Sequence, residues 1–76
     1  MQVFIKKIIG NPIAYEINNY DRVEDIKAMI QAQEGVPFNQ QDLIFSGRRL
    51  IDGSTIQDYL LNGNDTIYLI IRTTGF

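Results

Sequence analysis

Few side chains in this sequence could do covalent or proton chemistry. Cysteine and histidine are both absent. No thiol nucleophile, disulfide framework, Cys-ligated zinc site or Ser-His-Asp triad can be built, and no imidazole can shuttle protons near neutral pH. Carboxylates alone rarely hold zinc. Glu24-Asp25 is an adjacent acidic pair, but it fits the electrostatics of a helix start better than an acid/base couple. A chain of 76 residues is too short to frame a concave substrate pocket easily. The expectation is therefore no enzyme, cofactor or metal. Seven Lys/Arg against nine Asp/Glu give a net charge of −2, which argues against nucleic acid as the main partner. What remains is recognition by surface side chains.

Those side chains must be positioned by short elements. Met1, Val3 and Ile5 alternate with Gln2, Phe4 and Lys6, the period of a half-buried strand. Gly10-Asn11 supplies a turn, and Ile13, Tyr15 and Ile17 return as the second strand of a hairpin. Asp21-Arg22-Val23-Glu24 has capping-box spacing, with Asp21 as the cap. Val23, Ile26 and Ile30 share one helical face, Gly35 ends the helix and Pro37 prevents its continuation. The spacing predicts a helix over 23–34, with the stem of Lys27 partly covered. Leu43-Ile44-Phe45, the Ser46-Gly47 turn and Arg48-Arg49-Leu50 read as two short strands. Thr55 to Tyr59 reads as one helical turn between the turn signals Asp52-Gly53 and Asn62-Gly63. Thr66 to Arg72 is the last strand. This order predicts an α+β domain, one helix packed across one sheet, spanning residues 1–76.

No basic segment precedes a long apolar stretch, and no run approaches the roughly 20 apolar residues of a spanning helix. The chain reads as soluble, monomeric and intracellular, cytoplasmic or nuclear, with no membrane partner.

A single helix covers only one side of a sheet, so the outer strand positions should be polar. Phe4, Ile44, Tyr68 and Ile70 occupy them instead, and Ile8-Ile9 sits in the first turn. These residues are either scattered surface apolars, which are common, or a converging patch formed by Ile8, Ile44, Tyr68 and Ile70 that binds partners. Convergence requires the third and last strands to be neighbours.

Over its whole length, without a gap, the chain resembles the ubiquitin family. The matching residues include Met1-Gln2, Phe4, Lys6, Asp21, Glu24, Lys27-Ala28, Ile30-Gln31, Glu34-Gly35 and Pro37. They continue through Gln40-Gln41, Leu43-Ile44-Phe45, Gly47, Leu50, Asp52-Gly53, Thr55, Asp58-Tyr59, Thr66, Leu69 and Arg72. The resemblance implies the β-grasp fold with a mixed sheet of about five strands. It also implies three properties: recognition through a hydrophobic patch, attachment through a C-terminal Gly-Gly, and extension through lysines.

The patch is retained. Ile44 matches, Ile8 and Ile70 stand for the family's Leu and Val, and Tyr68 replaces a His. The resemblance places Lys6, Gly47, Arg48, Arg49 and Arg72 around it, and ubiquitin-binding domains of other proteins are the implied partners. The tail is not retained: Arg72-Thr73-Thr74-Gly75-Phe76 stands where the family has Arg-Leu-Arg-Gly-Gly. Only Lys6, Lys7 and Lys27 remain as lysines, with Arg48 and Gly63 at two linkage positions. Lys6 and Lys27 are the candidate acceptors, against a plainer reading as surface charge and a covered stem. A second proline that follows Pro37 in the family is absent, which predicts a looser segment after the helix. Two readings of function stand: a non-conjugatable interaction module, or a redesigned ubiquitin sequence whose function is the stable fold.

Overall fold

The structure, a computed structural model, describes residues 1–72. The hairpin forms as β1 (Gln2–Lys6) and β2 (Ile13–Glu16), joined through Gly10 at φ 113°. Helix α1 spans Val23–Glu34, the bounds the apolar period and Gly35 predict. Gly35, at φ 74°, sends its N–H back to the Gln31 carbonyl at 3.0 Å. Then come β3 (Gln41–Phe45), β4 (Arg48–Arg49) and β5 (Thr66–Ile71), with single 3₁₀ turns at Phe38–Gln40 and Ile56–Tyr59.

The five strands form one mixed sheet in the order β2-β1-β5-β3-β4. Only β1 and β5 run parallel; the other neighbours are antiparallel. One sheet side lies on α1. Val3, Ile5, Tyr15, Leu43, Ile67 and Leu69 are buried there with Val23, Ile26 and Ile30. This is the expected α+β, β-grasp architecture. Ile13, which alternates with Tyr15 and Ile17, is only half-buried at the core's margin. Leu50 and Leu61 join the core from irregular segments, and Ile56 and Tyr59 from a single 3₁₀ turn, where no period announces them.

The helix cap lies one residue later than predicted. Arg22 is the cap, and its N–H donates to Asp25 Oδ2 at 2.9 Å. The reciprocal bond of a full capping box is missing, because a guanidinium has no acceptor. Asp21 instead accepts from the N–H of Asn18 at 2.9 Å, closing the preceding turn. The segment after the helix is anchored: Phe38 donates its N–H to Gln31 Oε1 at 2.8 Å, a bond a second proline could not make. Among the described residues, no helix is long and apolar enough to cross a membrane.

Glu24 links the helix start to the 53 turn, accepting the Gly53 N–H on Oε1 at 2.7 Å. That bond, followed by Glu24's own backbone N–H and the Arg22 and Lys27 charges, lowers its carboxyl below the ordinary 4.5. A lowered folded pKa gives stability that is present above the unfolded value and lost as pH falls through the folded one. Glu24→Gln should therefore weaken the acid dependence of stability below about pH 4.5. Urea unfolding at a series of pH values checks it, and a variant as acid-sensitive as the parent refutes it.

Candidate functional site

The strands meet the condition for convergence. β3 and β5 are neighbours, and their register sets Ile44 opposite Tyr68 and Asp42 opposite Ile70. Lys6 of β1 pairs with Tyr68 on its other flank, and Arg49 of β4 pairs with Ile44. Partners in adjacent strands share a sheet face about 4.8 Å apart. One row, Lys6–Tyr68–Ile44–Arg49, therefore crosses four strands on the side away from α1. Ile70 adds to it two residues along β5. Ile44 and Ile70 are half-buried and Tyr68 is 51% exposed.

Ile8 sits in the β1–β2 turn and is 78% exposed. It lines a shallow groove of about 240 Å³ with Lys7, Ile9, Leu69 and Ile71. Leu69 and Ile71 have the strand parity of the core, so this groove opens at a sheet end that α1 leaves uncovered. Ile67, Leu69 and Ile71 share one side of β5, but only Ile67 and Leu69 are buried; Ile71 is exposed because the core runs out there. Ile8 thus extends the apolar surface around the end of β5 rather than sitting in the central row.

The basic residues divide. Arg49 and Arg72 both reach Asp42, Arg49 Nη2 to Oδ1 at 2.8 Å and Arg72 Nε to Oδ2 at 3.1 Å. Asp42, two residues before Ile44 on β3, is the member of this face that sequence reasoning missed. The alternation of the strand carries the signal. It offsets part of the positive charge expected around the patch. Arg48 departs from its expected place. It pairs with Phe45, not Ile44, and its guanidinium stacks 5.1 Å from the centre of the Tyr59 ring. Successive residues of a strand point to opposite faces, so Arg48 and Arg49 cannot both border Ile44. Ser46 (φ 53°) and Gly47 (φ 75°) form the tight β3–β4 hairpin turn, a conformation that favours glycine.

Neither candidate acceptor lysine is unengaged. Lys27 is buried, its ammonium 2.9 Å from Asp52 Oδ1 and 5.5 Å from the centre of the Phe38 ring. Lys6 donates to the carbonyls of Lys7 and Gly10 at 3.0 and 3.1 Å. The tail that the attachment argument concerns, Thr73 to Phe76, lies outside the described residues.

A mixed five-stranded sheet gripping one helix, with an apolar row on its open side, is the ubiquitin-like β-grasp. The ubiquitin family model matches residues 3–74. Ubiquitin-like protein 1 of Schizosaccharomyces pombe is 31% identical over 99% of this chain and 96% of that protein. Ubiquitin-like protein NEDD8 of Dictyostelium discoideum is 29% identical over 99% of this chain and 97% of its own length. The NEDD8-like protein RUB1 of Saccharomyces cerevisiae is 33% identical over the same shares, 99% and 97%. The chain belongs to the ubiquitin family, whose members are ubiquitin-like modifiers and not enzymes.

Proposed function

We propose that this chain is a protein-interaction module that docks ubiquitin-recognising domains through Ile44, Tyr68 and Ile70, with Ile8 extending the contact. One observation carries the reading: Ile44 faces Tyr68 across the β3–β5 ladder on a sheet side that α1 does not cover. Tyr68 supplies an aromatic surface with a hydroxyl, a residue type enriched at binding hot spots. The chain has no histidine, so binding by this face should not vary between pH 5 and 8 as a histidine-bearing face would.

The test is a titration of a ubiquitin-binding helix into labelled protein, followed by amide shifts. Shifts should cluster at Ile44, Gly47, Tyr68 and Ile70. Ile44→Ala should weaken binding about thirtyfold or more, the loss of a hot-spot contact. It should cost about 1 kcal/mol of stability, since Ile44 is half-buried and loses a cross-strand partner. No shifts at millimolar helix, or undiminished binding by Ile44→Ala, overturns the reading.

A further inference from the structure

A second apolar surface lies away from that face. Tyr20 is 83% and Leu60 79% exposed. Backbone bonds staple their segments together: Gln57 donates to the Asn19 carbonyl at 3.0 Å and Ile56 to the Asp21 carbonyl at 2.9 Å. Tyr20 lies between those two acceptors, and Leu60 directly follows the 3₁₀ turn that carries both donors. Between the segments is a groove of about 170 Å³ lined by Asn19, Gln57, Leu60, Leu61 and Asn62.

Leu60 is a poor choice for folding. Its backbone is left-handed, φ 57° and ψ 39°, a conformation that disfavours a Cβ and suits Asn or Gly. Its side chain buries almost nothing in return. What it does supply is apolar surface in the groove wall.

Charge identifies the occupant. Glu16, Glu34, Asp42 and Asp52 are each neutralised by an ion pair. Among the described residues, Asp21, Glu24, Asp25, Asp58 and Asp65 make none; each accepts a backbone N–H, and Asp21, Asp58 and Asp65 lie in or next to the segments that line the groove. Asp21 and Asp58 flank the stapled turns, and Asp65 accepts the N–H of Asn62 in the groove wall at 2.8 Å. Arg22 is the sole basic residue between 18 and 25 and between 54 and 65.

We infer that Tyr20 and Leu60 form a second docking surface for a basic amphipathic segment of a partner protein, one aliphatic side chain entering the groove between flanking Lys/Arg. An aliphatic anchor fits against Leu60 and Leu61 of the groove lining, with the exposed Tyr20 on the adjoining segment, and the carboxylates without ion pairs favour cations around it.

The probe is a synthetic peptide carrying one leucine flanked by lysines, titrated into the labelled full chain. Saturable shifts should appear at Asn19–Asp21 and Gln57–Asn62. Leu60→Asn keeps a residue suited to the left-handed turn, so the variant should fold at least as stably while binding at least tenfold more weakly. Glutamate in place of the peptide's lysines should have the same effect. Raising salt from about 0.05 M to about 0.3 M should weaken binding severalfold. Ile44→Ala should leave this binding unchanged, which separates it from the sheet-face reading. Absent shifts at millimolar peptide, shifts confined to the Ile44 face, or equal binding by Leu60→Asn would each overturn the inference. So would concentration-dependent shifts of the same residues without peptide, which would assign the surface to a second copy of the chain.

Discussion

Gln41→Glu should lower stability by roughly 3–5 kcal/mol at pH 7, the usual cost of an uncompensated buried charge. Gln41 is fully buried, and its Nε2 donates to the carbonyls of Lys27 at 2.9 Å and Val36 at 3.1 Å. One amide thus ties the middle of α1, the segment after it and the start of β3 together. Its Oε1 has no partner among the described residues. A carboxylate at this place would set negative charge against two carbonyl oxygens in a dry interior. Protonated, it can still donate to one of them. The folded state would therefore raise the carboxyl pKa above its unfolded value of about 4.3. Such a group stabilises fully below the unfolded value, and its contribution is lost as pH rises through the folded one. Urea unfolding should find the variant close to the parent near pH 4 and far below it at pH 7. Gln41→Leu is the comparison: it leaves the two carbonyls short of a donor but adds no charge. It should cost about 1–3 kcal/mol, with no pH dependence of its own. Equal, pH-independent losses in both variants would refute the account.

Gln41 also marks where sequence reading stops. Nothing in its neighbours announces a buried amide, because its role depends on where the carbonyl of Lys27 comes to rest. The helix was legible because Val23, Ile26 and Ile30 recur at its period and Gly35 ends it. Its cap was displaced by one residue because two acidic side chains compete for the same turn, and Asp21 serves Asn18 instead. Leu50, Ile56 and Leu61 reach the core from segments with no period to read.

The open face was legible in composition but not in assembly. Alternation alone put Ile44, Tyr68 and Ile70 on outer positions. That Ile44 meets Tyr68 is a fact of strand order, set when β5 inserts between β1 and β3. The same pleat explains the errors around it. Asp42 shares the face of Ile44, and Arg48 belongs to the face of Phe45. The resemblance grouped Arg48 with the patch; the register of a two-residue strand separates them.

Offered ATP and the ubiquitin-activating enzyme, the 76-residue chain should form a thioester at least about a hundredfold more slowly than a variant carrying Phe76→Gly and Thr74→Arg. Attachment in this family adenylates the C-terminal carboxylate, then passes it to an enzyme cysteine. A terminal glycine has no Cβ, so a narrow channel can close around the reacting carbon. Phe76 sets a benzyl group beside that carbon. Thr74 also lacks the five donors of the family's arginine. Arg72, the tail arginine that is retained, is already held by Asp42 at 3.1 Å and by the Asn39 carbonyl at 3.2 Å. A hundredfold loss corresponds to about 2.7 kcal/mol of transition-state stabilisation. Excluding a misplaced ring and losing a charged contact can together supply that much, since hydrogen bonds to charged groups alone contribute about 1.5–3 kcal/mol. The single variants apportion the effect. Phe76→Gly should restore most of the rate if the obstruction is steric, and Thr74→Arg alone should restore little while the ring remains. A parent chain that charges as fast as Phe76→Gly would refute this account.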